Sequence, residues 1–368
     1  MLSFWEKQSL LQYDYIVAGS GIVGLSAAIS LKELAPHARV LVLEREILPT
    51  GASTKNAGFA CIGSLTELLA DLKTMPAAEV VGLLQMRRKG LQLLRQRIGD
   101  ANMDYREQGS YELISDAEEP ALQQLQRMNN LLLPVLEGDA FTIVENNFGF
   151  NTSFVKALVQ NNYEGELHTG KMMRCLIDIA ISKGVEIKTG CTITHMEDTG
   201  TGVDVMVKDI TFSCRGLAIC TNAFTRQLLP ELDVQPGRGQ VLITDVIPDL
   251  PFRGVFHMEE GYYYFRELEG RVLFGGGRNL DFAGETTTSF DLNQEIQQEL
   301  EKRLREIILP GHSFTITDRW TGIMAFGANR KPLIQKYSPN IALGVRMGGM
   351  GVAIGSTVGE QLANLILQ

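Results

Sequence analysis

The chain has 368 residues, 45% hydrophobic and 21% charged, longer than one hydrophobic core ordinarily supports, so two lobes are expected. Its 34 Lys and Arg against 43 Asp and Glu leave a formal charge of −9, which argues against a nucleic-acid partner. The first twelve residues lack a long apolar core, the apolar runs are strand-length, and Cys61, Cys175, Cys191, Cys214 and Cys220 form no CxxC pair; a secretory signal, a membrane span and a disulfide framework are therefore not expected, and a cytoplasmic protein with reduced thiols is.

Tyr15 to Ala18 reads as a strand buried on both faces, and it enters the Gly-x-Gly-x-x-Gly turn Gly19-Ser20-Gly21-Ile22-Val23-Gly24. A helical pattern carries Ile22, Leu25, Ile29, Leu31 and Leu34. A second strand, Val40 to Leu43, ends at Glu44, 20 positions beyond Gly24, followed by Arg45. Each glycine has a physical use: Gly19 for the tight turn, Gly21 for close approach to a pyrophosphate, Gly24 for helix–sheet contact. The helix N-terminus then offers free N–H groups and a positive dipole end, and an acid at this distance meets a ribose hydroxyl. Strand, turn, helix, strand and acid in this order predict dinucleotide binding.

A small polar loop, Ser53-Thr54-Lys55-Asn56-Ala57-Gly58, suits backbone packed against a flat ligand. Residues 65 to 98 have helical periodicity divided at Pro76; Tyr105 to Ile114 alternates as a strand; Pro120 to Leu136 and Phe154 to Lys183 read as helices. Val185 to Gly190 is a strand able to rejoin the nucleotide sheet, Cys191 to Cys214 a small antiparallel meander, and Leu217 to Cys220 another buried strand. Strands are then expected over Gln240 to Thr244, Tyr262 to Phe265 and Arg271 to Phe274, and a helix over Leu292 to Ile308. The chain closes on Trp320-Thr-Gly322, Arg330-Lys-Pro332, Arg346-Met347-Gly348-Gly349-Met350-Gly351-Val352 and a last helix. The expected class is α/β: a Rossmann-like dinucleotide-binding domain with a parallel central sheet (1–80, 151–225, 319–368), carrying an inserted α+β substrate domain on an antiparallel sheet (81–150, 226–318).

These motifs together resemble the FAD-dependent D-amino-acid oxidase superfamily, which includes glycine oxidase, sarcosine oxidase and γ-glutamylputrescine oxidase. The resemblance runs from the Gly19/Gly21/Gly24 fingerprint with Glu44, through the Ser53–Gly58 loop, Cys220-Thr221-Asn222-Ala223, and Tyr264-Phe-Arg266 with Leu273-Phe-Gly-Gly276, to the terminal Gly348-Gly-Met-Gly351. It implies FAD rather than NAD, with the flavin ring between the Ser53–Gly58 loop and the terminal glycine turn. It also implies adenine contacts at Thr192 and Ile193, further cofactor contacts at Thr221, Asn222, Gly322 and Met347, and a substrate wall that takes in Tyr264 and Arg266. The covalent relatives attach flavin through a Cys in the segment here occupied by Ile323-Met-Ala325, so non-covalent FAD is expected.

Three departures mark where specificity changes: Arg346 and Met350 stand where relatives often carry Gly and His, and Lys55 where they carry Arg or Gly. A guanidinium in the uncharged stretch 341–354 needs an anion, and for Arg346 that is either a substrate carboxylate or an internal acid such as Glu259 or Glu260. The five histidines show no metal-ligand spacing. The resulting expectation is oxidation of a small amine or amino acid at the C–H next to nitrogen, with O2 or another acceptor closing the cycle. The rivals are a flavin-dependent 2-hydroxy-acid dehydrogenase, for which the motifs provide no histidine base, and a non-catalytic flavin-binding protein.

Overall fold

The computed structural model describes residues 1–368. Its first sheet has six strands in the order Leu333–Ser338, Ile341–Val345, Gly216–Ile219, Tyr15–Ala18, Val40–Leu43 and Val185–Lys188. Every pairing is parallel except that of Leu333–Ser338. Val17 faces one apolar core, while Ile16 and Ala18 face another. Burial on both faces is why this strand is a continuous apolar run rather than an alternating one. A three-stranded meander, Ile193–Asp198, Val203–Val207 and Ile210–Cys214, shares the second core.

The second sheet has eight strands: Ile316–Phe326, Gln235–Thr244, Arg271–Gly276, Tyr263–Leu268, Val255–Met258, Ser110–Ile114, Ala157–Asn161 and Phe141–Val144. It is antiparallel apart from one seam, Val255–Met258 beside Ser110–Ile114. That seam joins strands far apart in the chain, and each alone would leave an unpaired edge. An aromatic core, with Phe256 and Phe265 stacked at 4.6 Å, packs under the sheet against the helix Gln294–Arg303.

Several expectations change. Phe154 to Lys183 is helical only over Thr169–Ser182; Ala157–Asn161 is a strand between Ser110–Ile114 and Phe141–Val144. Its Ala-Leu-Val-Gln-Asn run fits either periodicity, and cross-strand pairing decides it. Strands Phe141–Val144 and Val255–Met258 were not foreseen. The boundary expected at 80/81 falls inside the helix Ala77–Ile98, and that at 318/319 inside the strand Ile316–Phe326.

The helix Ile22–Leu34 lies against the closing helix Gly351–Ile366 almost backbone to backbone. A Cβ on Gly359 would come within 2.7 Å of Val23 O and Ala27 N, and one on Gly355 within 2.6 Å of Ile22 Cγ2. On the other side of the closing helix, a Cβ on Gly90 would sit 2.0 Å from Ala353 O. Gly359→Ala should therefore destabilise the protein by about 1–3 kcal/mol through overpacking, outweighing a helix-propensity gain of about 1 kcal/mol. Gly82→Ala, on an open face of the helix Ala77–Ile98 with nothing near its Cβ, should instead stabilise by up to about 1 kcal/mol. Urea unfolding of the two variants checks both signs.

Candidate active site

Gly19 leaves the first strand at φ +99°, and Gly24 packs so closely that its Cβ would lie 1.9 Å from Gly19 O. The turn therefore closes on itself as well as on the sheet. Ser53 Oγ, from the next loop, accepts from Ile22 N at 3.0 Å, and the capping residue Gly21 contributes no side-chain cap. Glu44 binds the turn to its own loop: its carboxylate accepts from Ser20 N at 3.0 Å, Ser20 Oγ at 2.6 Å and Glu46 N at 3.1 Å. Arg45 lies over the Phe224 ring at 4.1 Å.

The Ser53–Gly58 loop is fastened from within and from outside. Asn56 donates to Ser53 O at 2.8 Å and accepts from Gly58 N at 2.9 Å and Thr169 Oγ1 at 2.8 Å. Trp320 Nε1 donates to Lys55 O at 3.0 Å. The buried Arg266 donates through Nη1 to Leu167 O at 2.9 Å and Gly58 O at 3.2 Å, and pairs with Glu166 at 3.0 Å.

At the far end, Asn222 takes left-handed backbone (φ +45°) and its Oδ1 accepts from Arg346 N at 3.0 Å and Met347 N at 3.4 Å. Gly348 N donates to Ala325 O at 3.0 Å. Gly348 and Gly349 both have positive φ, and Met350 adds no side-chain cap to the helix Gly351–Ile366. Two helix N-termini thus open on one cavity of about 550 Å³.

The cavity wall includes Gly19 to Val23, Glu44, Arg45, Ser53, Lys55, Asn56, Ala57, Thr192, Ile193, Thr221, Asn222, Tyr264, Gly322 and Met347 to Val352. Gly24, Thr54, Gly58, Arg266 and Arg346 stand outside it. For Arg346 the anion is neither Glu259 nor Glu260. Its Nη1 donates to Asp233 Oδ2 at 2.5 Å, its Nη2 to Asn329 Oδ1 at 2.9 Å and its Nε to Lys331 O at 3.1 Å. Glu259 pairs with Arg303, and Glu260 with Lys73 at 3.6 Å. The Arg346 side chain, on backbone at φ +67°, clips the 327–331 loop.

Arg330, from the Arg330-Lys-Pro332 motif, is also in the wall, and other wall residues escaped the sequence patterns: His257, Phe59, Glu67, Arg278, Met324 and Phe326. Arg278 directly follows the Gly275–Gly277 run, the one sequence cue available. His257 sits opposite Tyr264 across two antiparallel strands, and burial pushes the Tyr264 phenol up to about 12, so it stays neutral. Burial opposes the His257 imidazolium, but Glu164 at 3.4 Å outweighs it and leaves the imidazole above its ordinary value. Burial likewise opposes the Glu164 carboxylate. His257, Ser110 Oγ at 2.5 Å and the amides of Ile62 and Gly63, both at 2.6 Å, overcome it and hold the acid at about 2. Cys61, buried beside them, is pushed well above the usual thiol range by desolvation.

A mostly parallel sheet with a glycine turn at its first strand, opening beside a second sheet, defines a dinucleotide-binding α/β fold. Residues 14–365 match the family described as DAO, FAD dependent oxidoreductase, and the chain belongs to that family. Its fold is similar to that of glycine oxidase from Geobacillus kaustophilus (TM-score 0.78, 17% identity, 97% of this chain and 95% of that one). It is equally similar to L-proline dehydrogenase from P. horikoshii (0.78, 16%, 97% and 93%). L-amino acid deaminase from Proteus vulgaris is a further likeness (0.76, 18%, 97% and 94%). No curated protein matches the chain in sequence. No helix is long and apolar enough to cross a membrane.

Glu164→Gln tests the buried pair. Glu164 is depressed from 4.5 to about 2, so its contribution to stability is full above pH 4.5 and lost as pH falls toward 2. His257 is raised from 6.5, so its contribution is full below pH 6.5 and lost as pH climbs through the folded value. The variant should be destabilised most between pH 4.5 and 6.5, by about 3–5 kcal/mol. Chemical denaturation across pH, with NMR titration of His257, reads both effects.

Proposed function

We propose that the protein is an FAD-dependent oxidoreductase that oxidises a small amine or amino acid at the C–H next to nitrogen. The observation that carries this reading is the single cavity that both helix N-termini share with the polar and aromatic wall of the second sheet. The donor set fits the cofactor. The amides of Gly21 and Val23 would hold the pyrophosphate, Glu44 the ribose hydroxyls, and the backbone at Thr192 and Ile193 the adenine. The Ser53–Gly58 loop and the Gly348–Val352 turn would flank the ring, and the free N–H groups at the closing helix would hold negative charge at its pyrimidine edge. FAD, when bound, supplies a hydride acceptor, and the imine product hydrolyses in water. In this reading the six-stranded lobe binds the dinucleotide, and the eight-stranded lobe forms the substrate wall through Tyr264 and its neighbours, with Met350 facing it from the terminal glycine turn of the first lobe.

Oxidation of a 2-hydroxy acid needs a base for the hydroxyl proton. His257 is the one histidine in the wall, and Glu164 raises its affinity for a proton against the effect of burial, which suits it less to the role of base and favours the amine reading. The amine itself must enter or become neutral, since a protonated nitrogen cannot help expel hydride.

Anaerobic titration across amines, N-methyl amino acids, D- and L-amino acids and 2-hydroxy acids should bleach the visible flavin band with a nitrogen compound. Bleaching by hydroxy acids alone, or by nothing, would refute the proposal. Acid precipitation should release the colour into the supernatant, because the segment Ile323–Ala325, where the covalent relatives carry the linking Cys, has none; colour retained in the pellet excludes non-covalent FAD. Glu44→Ala should weaken FAD binding by about 1.5–3 kcal/mol, measured by flavin retention on dialysis.

A further inference from the structure

At one side of the cavity the fold assembles three side chains that the oxidation itself does not use. The strands Phe59–Ala60 and Gly165–Glu166 pair antiparallel with Ala60 opposite Gly165, which sets Cys61 against Glu164. His257 reaches them from the strand Val255–Met258. Each of the three is more than ninety residues from the next along the chain, so no sequence spacing could reveal them. The Cys sulfur, a His nitrogen and a Glu oxygen lie within 4.8 Å of one another, and all three residues are buried.

The geometry is that of a coordination site and not of a closed hydrogen-bond network. His257 Nε2 lies 3.4 Å from Glu164 Oε2 but is not aligned to bond it, and it has no other partner although the residue is only 5% exposed. Two ligands of one ion stand in this relation: metal–nitrogen and metal–oxygen bonds of about 2.0–2.2 Å in a tetrahedral frame separate the two atoms by roughly 3.4 Å. The carboxylate is also held as a ligand must be. Its Oε1 accepts from Ile62 N and Gly63 N, both at 2.6 Å, and its Oε2 from Ser110 Oγ at 2.5 Å. Such an outer shell of donors fixes the orientation of a coordinating carboxylate. Cys61 and His257 belong to the cavity wall, and fully buried Glu164 lies outside it. An ion would therefore enter from the cavity and keep one coordination position open toward it, with three protein ligands filling the others.

We propose that Cys61, Glu164 and His257 form a binding site for a divalent cation of borderline softness, Zn2+ being the ion that thiolate, imidazole and carboxylate suit together. The thiolate and the carboxylate neutralise the two positive charges, and the ion displaces the proton that burial otherwise keeps on the thiol. The site goes beyond the oxidoreductase reading and does not rest on it, because nothing in the ligand set involves a flavin or an amine.

The test is a metal titration of the full-length, flavin-loaded protein after treatment with a chelator, and it involves no turnover. Co2+, a spectroscopic substitute for Zn2+, should bind at one equivalent and give the intense d–d bands of a four-coordinate ion, to the red of the flavin. Zn2+ should displace it. Ser110→Ala, which removes only a donor to the carboxylate, should bind Co2+ about 10- to 100-fold more weakly, and Cys61→Ser and His257→Gln more weakly still. Zn K-edge X-ray absorption of the wild type should show one sulfur at about 2.3 Å beside nitrogen and oxygen at about 2.0–2.2 Å, and it decides the matter if the variants do not fold. The proposal is overturned if Co2+ gives only the weak bands of a six-coordinate ion, if the Zn2+ shell contains no sulfur, or if Cys61→Ser binds as the wild type does. Flavin bleaching by an amine in a protein that takes up no Zn2+ would keep amine oxidation and remove this site. Zn2+ held with one sulfur in a protein that no amine bleaches would do the reverse.

Discussion

Close contact between the first and last long helices is the constraint on which the site depends. Residues 330 positions apart, Ser26 and Ser356, meet at 3.4 Å, and Gly355 and Gly359 leave no side chain between the two backbones. Both helices start at the edge of one cavity, so their approach fixes the distance between their positive ends. Dispersion contacts at such a crossing are individually weak and collectively large, and they also prevent either helix from sliding. The helix Ala77–Ile98 presses from the other side at Gly90, holding the closing helix in place.

Around that frame, buried charge holds loops in position. Arg266 draws Gly58 and Leu167 together, Arg346 gathers Asp233, Asn329 and Lys331, and Glu164 collects the amides of Ile62 and Gly63 with Ser110 and His257. A buried ion with a full set of partners is costly to disrupt, so these loops have few alternative conformations. Against that background Arg278 stands apart: it is half-buried, has no ion pair, and rests against the rings of Phe326 and Phe282.

The wall that faces the cavity from the second sheet depends on one seam. Val255–Met258 pairs in parallel with Ser110–Ile114, and this brings His257 beside Glu112 and Glu164. The residues concerned come from separate excursions of the chain, and no local pattern connects them.

What the sequence by itself determined was whatever depends on neighbours within about one turn or one strand. The Gly19–Gly24 turn with Glu44, the division at Pro76, the meander over 193–214 and the closing glycine turn all follow from periodicity and backbone freedom, which are local properties. Tertiary structure decided the rest. Ala157–Asn161 became a strand because two partners were available on its edges, although its residues suit a helix as well. The anion for Arg346 lies 113 residues away at Asp233, and the lack of one for Arg278 is visible only once the side chains around it are in place. Ion pairing and desolvation are set by distances across the fold, which the order of residues along a chain does not contain.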